Sequence, residues 1–395
     1  MIKRLALNII NELARQFPAV LILGPRQCGK TTLARHFIKG EYFDLERPSD
    51  FQVFSTDIEL AISRFSGPVI IDEAQTLPDI FPVLRSIIDE NRQQKGRFFL
   101  LGSVNPALIK HISESLAGRV GILELTPFLF PEICERLPDL PTFWLKGGFP
   151  DAVMADDMSQ WERWQENYIR TFVERDVPRF GVKITAIQMR RFMGMVAHLH
   201  GGLINASQLS RSLGVSYHTI QSYLDLLEGH FLIRRLEPFF VNIGKRLVKS
   251  PKLYIRDSGM LHHLLGISSE RQLLESPKRG SSFEGFIIEQ IIALENMRRS
   301  GSRFYFFRTH AGAEIDLMID RGQEKIGFEF KSSMSVNTHD FATLRASIKE
   351  GIIARGYVIY LGKRNYPATD RIFVMAAGDF IMDKLPSGNL THAGR

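Results

Sequence analysis

Two cysteines, Cys28 and Cys134, stand in 395 residues. That is too few for a disulfide framework and points to a reducing compartment. No apolar stretch approaches the ~20 residues that a membrane helix needs, so no membrane role is expected. The start, Met1-Ile2-Lys3-Arg4, is basic, but Asn8, Asn11 and Glu12 soon interrupt it. Ile2, Leu5, Ile9 and Leu13 fall at helical spacing, so an amphipathic helix fits better than a signal peptide. There is no internal repeat, no low-complexity tract and no cluster of zinc-type ligands. His198, His200, His262 and His263 lack metal-type companions and read as structural. What remains is a cytoplasmic chain long enough for two or three domains, each with its own core.

Against these absences, one segment is dense in chemistry. The apolar run Ala19-Val20-Leu21-Ile22-Leu23 leads into Gly24-Pro25-Arg26-Gln27-Cys28-Gly29-Lys30-Thr31, followed by Thr32. This is a strand, a glycine-rich loop and a helix start with the spacing G-x-x-x-x-G-K-[ST]. Such a loop turns its backbone N–H groups toward phosphate oxygens, and the helix N-terminus adds positive potential. Lys30 is the candidate for the β- and γ-phosphates of ATP, and Thr31 for Mg²⁺. Pro68-Val69-Ile70-Ile71-Asp72-Glu73 reads as a buried strand ending in two acids. Asp72 is expected to hold Mg²⁺ and Glu73 to act as general base toward the attacking water.

Arg97-Phe98-Phe99-Leu100-Leu101-Gly102-Ser103 is a further apolar strand, reached through a helix expected over 80–95. Strand ends line the ligand crevice of a parallel α/β sheet. Ser103 or Asn105 is therefore a candidate γ-phosphate sensor; a helix N-cap at Asn105 before Pro106 is the other reading. Arg119 is a candidate arginine finger, in cis or from a neighbouring subunit, or else an ordinary surface arginine.

The far end carries a different signature. Ala313 to Asp320 alternates as a half-buried strand, Arg321-Gly322-Gln323-Glu324 makes a turn, and Ile326 to Lys331 forms the partner strand. Residues i and i+2 share a face, so Glu329 and Lys331 point the same way and Asp316 meets them from the paired strand. Two carboxylates and a lysine so placed form a D…E-x-K site, with the acids on Mg²⁺ or Mn²⁺ and Lys331 on water or the developing phosphorane charge. Solvated charges on an exposed hairpin are the bland alternative. Glu284 is a candidate third carboxylate.

GPRQCGKTT, PVIIDEAQ, SLAGRV followed by LTPFLFPE, GGFP at Gly147 to Pro150, and GAEIDLMID…GFEFKSS together resemble one family. They are similar to prokaryotic AAA+-type P-loop ATPases with a C-terminal DUF4143 domain, itself similar to PD-(D/E)xK nucleases. The likeness runs from about Arg4 to the strand after Gly356. It implies an ATPase joined to a restriction-endonuclease-like module. Cys28 departs from the small or β-branched residue usual in such loops, at a position that contributes only backbone. The third acid is ambiguous between Glu284 and Glu289.

Net charge is +7, but it is unevenly spread. Residues 1–135 hold 15 Lys/Arg against 16 Asp/Glu, whereas residues 161–260 hold 15 against 8. The basic segment suits DNA or RNA, or equally an acidic protein partner or a solvated helical lid. Within it, Ser207 to Leu213, a turn at Gly214-Val215 and a helix from Ser216 to Gly229 form a helix-turn-helix pattern. Leu209, Leu213, Val215, Ile220, Leu224 and Leu227 make its packed face. Phe231 to Phe240 is a candidate winged hairpin. The second helix has no Lys or Arg, only Asp225 and Glu228, so its tools for DNA are Tyr217, His218, Thr219 and Gln221. Trp161, Trp164, Tyr168 and Phe172 lie on one face of a helical stretch over 161–200 and read as core.

The expected layout is α/β. A P-loop, AAA+-like parallel sheet with helices on both faces occupies residues 1–137. A helical lid and winged-helix segment follows over 138–247. A restriction-endonuclease-like domain fills 248–395 and opens with a strand at Lys252 to Asp257. The expected function is ATP binding and hydrolysis controlling a module that acts on nucleic acid. The alternatives are a nucleotide-dependent regulator of a protein partner with an inactive nuclease fold, or one that binds DNA through the winged helix without cutting it; a homo-oligomer or a protein partner is a further expectation.

Overall fold

The computed structural model describes residues 2–103, 115–179, 184–240, 248–299 and 301–382. Asn105 and Pro106 lie outside the described residues. The chain forms two compact units, Met1–Phe128 with Leu226–Leu232, and Leu129–Asp225 with Ile233–Arg395. The second unit thus takes in most of the expected middle segment together with the expected last domain.

In the first unit, β1 (Ala19–Leu23), β2 (Glu41–Asp44), β3 (Val69–Asp72), β4 (Phe98–Gly102) and β5 (Val120–Glu124) form one sheet in the order β2-β3-β4-β1-β5. Every pairing is parallel. Every residue of β1, β3 and β4 is buried, as continuous apolar runs in a doubly covered parallel sheet must be. Ala19, Leu21 and Leu23 join Val69, Ile71, Phe98 and Leu100 in a core filled by Phe54, Ile62, Phe81 and Leu84. Helices Pro48–Ser55, Ile58–Ser63 and Ile80–Glu90 supply those side chains. Val120 packs on the same core. Gly121, next in the alternation, lies against Leu13 and Phe17 at the end of helix Ala6–Gln16, so helices cover both faces. This is the α/β arrangement of a P-loop NTPase. The helix expected over 80–95 ends at Glu90, where Asn91 leaves helical geometry and the chain turns through Gly96 into β4.

The second unit has two sheets. Gly202–Leu203 (β6), Ile233–Leu236 (β7) and Lys252–Ile255 (β8) pair antiparallel in the order β6-β8-β7. The strand at Lys252 therefore does not open the last domain's sheet. All four of its residues are buried, and it is closed by a hydrogen-bonded neighbour on each edge. Helix Ala206–Leu213 ends at Gly214 (φ +72), and Ser216 Oγ accepts from Thr219 N at 3.1 Å to cap helix Tyr217–Gly229. Leu209, Leu213, Ile220, Leu224 and Leu227 are buried as expected, and Val215 is half-buried.

The helical stretch over 161–200 is broken. Helix Met158–Thr171 widens over Phe172–Asp176 and reaches Val177–Arg179, and a new helix, Ala186–Leu199, starts on the Thr185 cap. The first helix continues through Pro178 to Arg179, and Ile184 and Thr185 lie outside helix before the second begins. The aromatic stripe is core: the Tyr168 ring lies 4.9 Å from Phe149 and 5.2 Å from Trp164.

The larger sheet runs β13-β14-β12-β11-β10-β9, from Tyr366–Thr369 (β13), Ile372–Ala376 (β14), Arg355–Tyr360 (β12), Lys325–Lys331 (β11), Glu314–Asp320 (β10) and Arg303–Arg308 (β9). β9, β10 and β11 are antiparallel neighbours, while β11, β12 and β14 run parallel. The expected hairpin is present, with Asp320 opposite Lys325 and Arg321 N donating to Glu324 O at 2.9 Å. The long helix Arg279–Arg298 is buried over most of its length. The GGFP segment is a backbone cradle. Gly147 (φ +78) has no room for a Cβ beside Asp257, whose carboxylate accepts from Gly148 N and Met260 N, each at 2.8 Å.

Candidate functional site

The register Leu23↔Gly102 and Ile71↔Leu100 brings the ends of β1, β3 and β4 out at one sheet edge. The loop Gly24–Gly29 leaves β1 there. A Cβ on Gly24 would collide with the Leu125 carbonyl, and Gln27 (φ +60) and Gly29 (φ +99) bend the chain into helix Lys30–Phe37. Lys30 is 5% exposed, and its Nζ donates to the carbonyls of Gly24 (2.9 Å) and Pro25 (2.8 Å). Thr31 Oγ1 donates to Asp72 Oδ2 at 2.6 Å, and the Tyr42 hydroxyl donates to the same oxygen at 2.6 Å. The Glu73 backbone N–H holds Asp72 Oδ1 at 2.9 Å.

Glu73 follows β3 in left-handed backbone geometry (φ +52). Its carboxylate accepts from Ser103 Oγ at 3.1 Å and from the Gln75 side-chain amide. Burial raises its pKa above the usual carboxylate range; Lys30 opposes that rise and Asp72 adds to it. Burial and the Asp72 carboxylate likewise raise Tyr42, which stays a protonated donor. Ser103 therefore touches the candidate base directly. Hydroxyl, carboxylate and ammonium groups thus converge at the loop, and the Thr31–Asp72 pair suits an oxygen-preferring cation such as Mg²⁺.

The other loop residues have quieter roles. Arg26 pairs with Glu46 at 3.4 Å, Cys28 is buried with Sγ 3.4 Å from the Leu125 carbonyl, and Thr32 is exposed. Arg119 is not brought to the loop. Its backbone carbonyl accepts from Ala19 N at the opposite end of β1, roughly 16 Å away for a five-residue strand. Its guanidinium grips Asp89 with two bonds of 2.7 and 2.8 Å. A finger acting in cis does not fit this position.

The second cluster lies on the larger sheet. Asp316, one step beyond the Leu317↔Phe328 pair, accepts from Phe330 N at 3.0 Å. Lys331 Nζ is 3.4 Å from Glu329 Oε2 and 3.9 Å from Asp340. Burial raises Glu329, and Asp316 raises it further; Glu284 contributes to the same rise, which places it in the group. Glu289 does not belong to it. Arg234 and Arg256 both grip Glu289, and although burial alone would raise its pKa they hold it near 2. Of the two candidate third acids, Glu284 is the one that interacts with Asp316 and Glu329.

A residue outside every motif sits in the middle. Lys252 Nζ donates to Glu284 Oε1 at 2.8 Å and lies 2.5 Å from Glu314 and 3.8 Å from Asp316. Tyr254 also bonds Glu284. Burial and Asp316 raise Glu284 to about 7, while Lys252 pulls it down. Among the described residues, no three His, Cys, Asp or Glu side chains are arranged to hold a metal ion. Of the expected set, Glu284 and Asp316 share the Lys252 ammonium with Glu314, whereas Glu329 pairs with Lys331.

Sequence reasoning also passed over Arg4 and Tyr42. Arg4 is buried, donating to the Cys28 carbonyl (2.9 Å) and the Thr126 carbonyl (2.6 Å), with its guanidinium 4.9 Å from the Phe128 ring. Nothing in the local pattern marks it beyond being a basic residue beside an amphipathic helix. The basic excess of 161–260 is also partly spent. Arg234, Arg256 and Lys252 pair with acids at 284–316, beyond that segment. Among the described residues, no helix is long and apolar enough to cross a membrane.

Three family models match: an AAA domain over residues 16–134, a domain of unknown function (DUF8612) over 137–271, and another (DUF4143) over 279–380. An uncharacterized protein of Mycobacterium tuberculosis is 40% identical over 367 residues, covering 92% of this chain and 81% of its own. One from Haemophilus influenzae is 24% identical, covering 85% and 84%. Among solved structures, a STAND signal-transduction ATPase with a tetratricopeptide-repeat sensor from Pyrococcus horikoshii is similar at 14% identity and a TM-score of 0.28. That match covers 76% of this chain and 48% of that one. A Vibrio cholerae protein is similar at 11% identity and a TM-score of 0.21, covering 92% and 95%. The chain belongs to the family of the mycobacterial protein, a nucleotide-binding AAA-type ATPase domain followed by DUF8612 and DUF4143 domains.

Proposed function

We propose that the chain hydrolyses ATP at the Gly24–Thr31 loop and that its nucleotide state controls a winged-helix and PD-(D/E)xK-like module. The observation that carries this is the Asp72 carboxylate bonded to Thr31 Oγ1, with Lys30 and Glu73 alongside. Lys30 leaves two neutral carbonyls for the β/γ-phosphates. Thr31 and Asp72 would hold Mg²⁺, whose charge would neutralise the phosphates. Glu73, held by Ser103, takes the proton of the attacking water. Lys30→Ala is expected to abolish ATP binding and turnover with the fold retained; unchanged turnover would remove the reading. Glu73→Gln should keep binding and lose hydrolysis.

The downstream module is read from its parts. The order helix Ala186–Leu199, β6, two helices around Gly214, then β7 and β8 supports a winged helix. A carboxylate from helix Arg279–Arg298 with Asp316, Glu329 and Lys331 on a mixed sheet supports a nuclease-like domain. Lys252 amid these acids favours the second reading, in which this domain is not a standing nuclease and the ATPase governs a partner. The test is incubation with single-stranded, duplex and branched DNA plus Mg²⁺ or Mn²⁺, with and without ATP. Cleavage lost in Lys331→Ala would establish a nuclease. Intact ATPase with no cleavage would shift weight to the regulator, with partner identification the next step.

A further inference from the structure

Lys252 is 3% exposed, with its ammonium directed at three carboxylates. Two of them come from β10 and one from helix Arg279–Arg298, whereas Lys252 comes from β8 of the smaller sheet. The Phe306 ring stands 5.6 Å from Nζ. Arg308 sits on the outer oxygen of Glu314 at 3.3 Å. Mg²⁺ or Mn²⁺ would need these same oxygens close around a doubly charged centre, and an ammonium already among them repels it. At 3% exposure the lysine side chain has little room to swing aside, and its backbone is held on both edges, Leu253 paired with Gly202 and Arg235, and Lys252 with Leu203 and Leu236.

We propose that Lys252 is the resident cation of this acid cluster and that its ammonium keeps divalent metal out of it. The proposal rests on reading Glu284, Asp316, Glu329 and Lys331 as a nuclease-like site. The acids are then a latent metal centre, closed by an internal salt bridge.

The test is a Mn²⁺ titration of the full chain without nucleotide, with free Mn²⁺ read by EPR. Every protein carries Asp72→Asn so that the loop's own cation position is silent. Adding Lys252→Met should create one Mn²⁺ site about tenfold or more tighter than its parent shows. Mn²⁺ should raise the melting temperature of that protein and leave the parent unchanged. Further addition of Asp316→Asn should remove the gain. A parent that binds Mn²⁺ as tightly as the Lys252→Met protein overturns the lock and leaves the nuclease-like reading standing. A folded Lys252→Met protein without a Mn²⁺ site overturns the nuclease-like reading itself. Should Lys252→Met not fold, the parent is compared with its Asp316→Asn form. A parent site that depends on Asp316 overturns the proposal; no such site is the result expected.

Discussion

Lys30 and Lys252 are both almost completely buried, at 5% and 3% exposure, yet they are satisfied in opposite ways. Lys30 rests on two uncharged carbonyls, those of Gly24 and Pro25. Lys252 rests on carboxylates. A buried ammonium on neutral partners gains by meeting an anion, so Lys30 is poised for phosphate. A buried ammonium already surrounded by anions has no such appetite. The same side chain thus makes an open site in one region and a closed one in the other, and the partners decide which.

That contrast can be broken most directly by the same substitution at both lysines. Lys252→Met leaves carboxylates buried without their cation and should cost about 3–5 kcal/mol of unfolding free energy by denaturant melts. Lys30→Met leaves only carbonyls and should cost about 1 kcal/mol. Equal losses would end the comparison. Next in size is Glu289→Gln, which strips the partner of Arg234 and Arg256. The two arginines hold Glu289 at about 2 in the fold, against 4.5 for a free glutamate, so it adds roughly 3 kcal/mol above that range. The sign follows from a lowered folded pKa: the contribution is whole above about pH 4.5 and fades as pH falls toward 2. A variant whose stability parallels the parent down to pH 3 would contradict the pairing.

Smaller effects sharpen the loop side. Glu73 must be ionised to accept a proton, and burial raises its pKa. Turnover should therefore fall on the acid side from a pH above the ordinary carboxylate range, and Glu73→Gln should lose that limb together with the rate. A rate flat down to the pH of an ordinary glutamate would show that another group activates water. Smallest is Tyr42→Phe, which removes one of two hydroxyl donors on Asp72. A stability loss of about 1 kcal/mol is expected, with ATP hydrolysis retained; loss of hydrolysis would give Tyr42 a larger part.

What could be read from the sequence was local. The loop, the β3 strand with its acids and the Arg321–Glu324 turn are each set within a few consecutive residues. Their chemistry shows as spacing. Lys252 could not be read this way, because its partners lie 32, 62 and 64 positions along the chain and meet it only through tertiary packing. The alternatives for Arg119 could not be narrowed from sequence for the converse reason: its place after a helical stretch says nothing of which end of β1 it adjoins. How much of the charge excess is available to a partner was not legible either, because composition counts arginines without showing that Glu289 pairs with two of them.

Arg4 has a practical consequence. It fastens the underside of the phosphate loop, through the Cys28 carbonyl, to the chain leaving β5. The AAA-domain match begins only at residue 16, so a protein trimmed to that boundary would keep every motif and lose the clasp. Its loop would have to be ordered afresh by each incoming nucleotide, and nucleotide affinity measured on such a fragment would understate that of the intact chain.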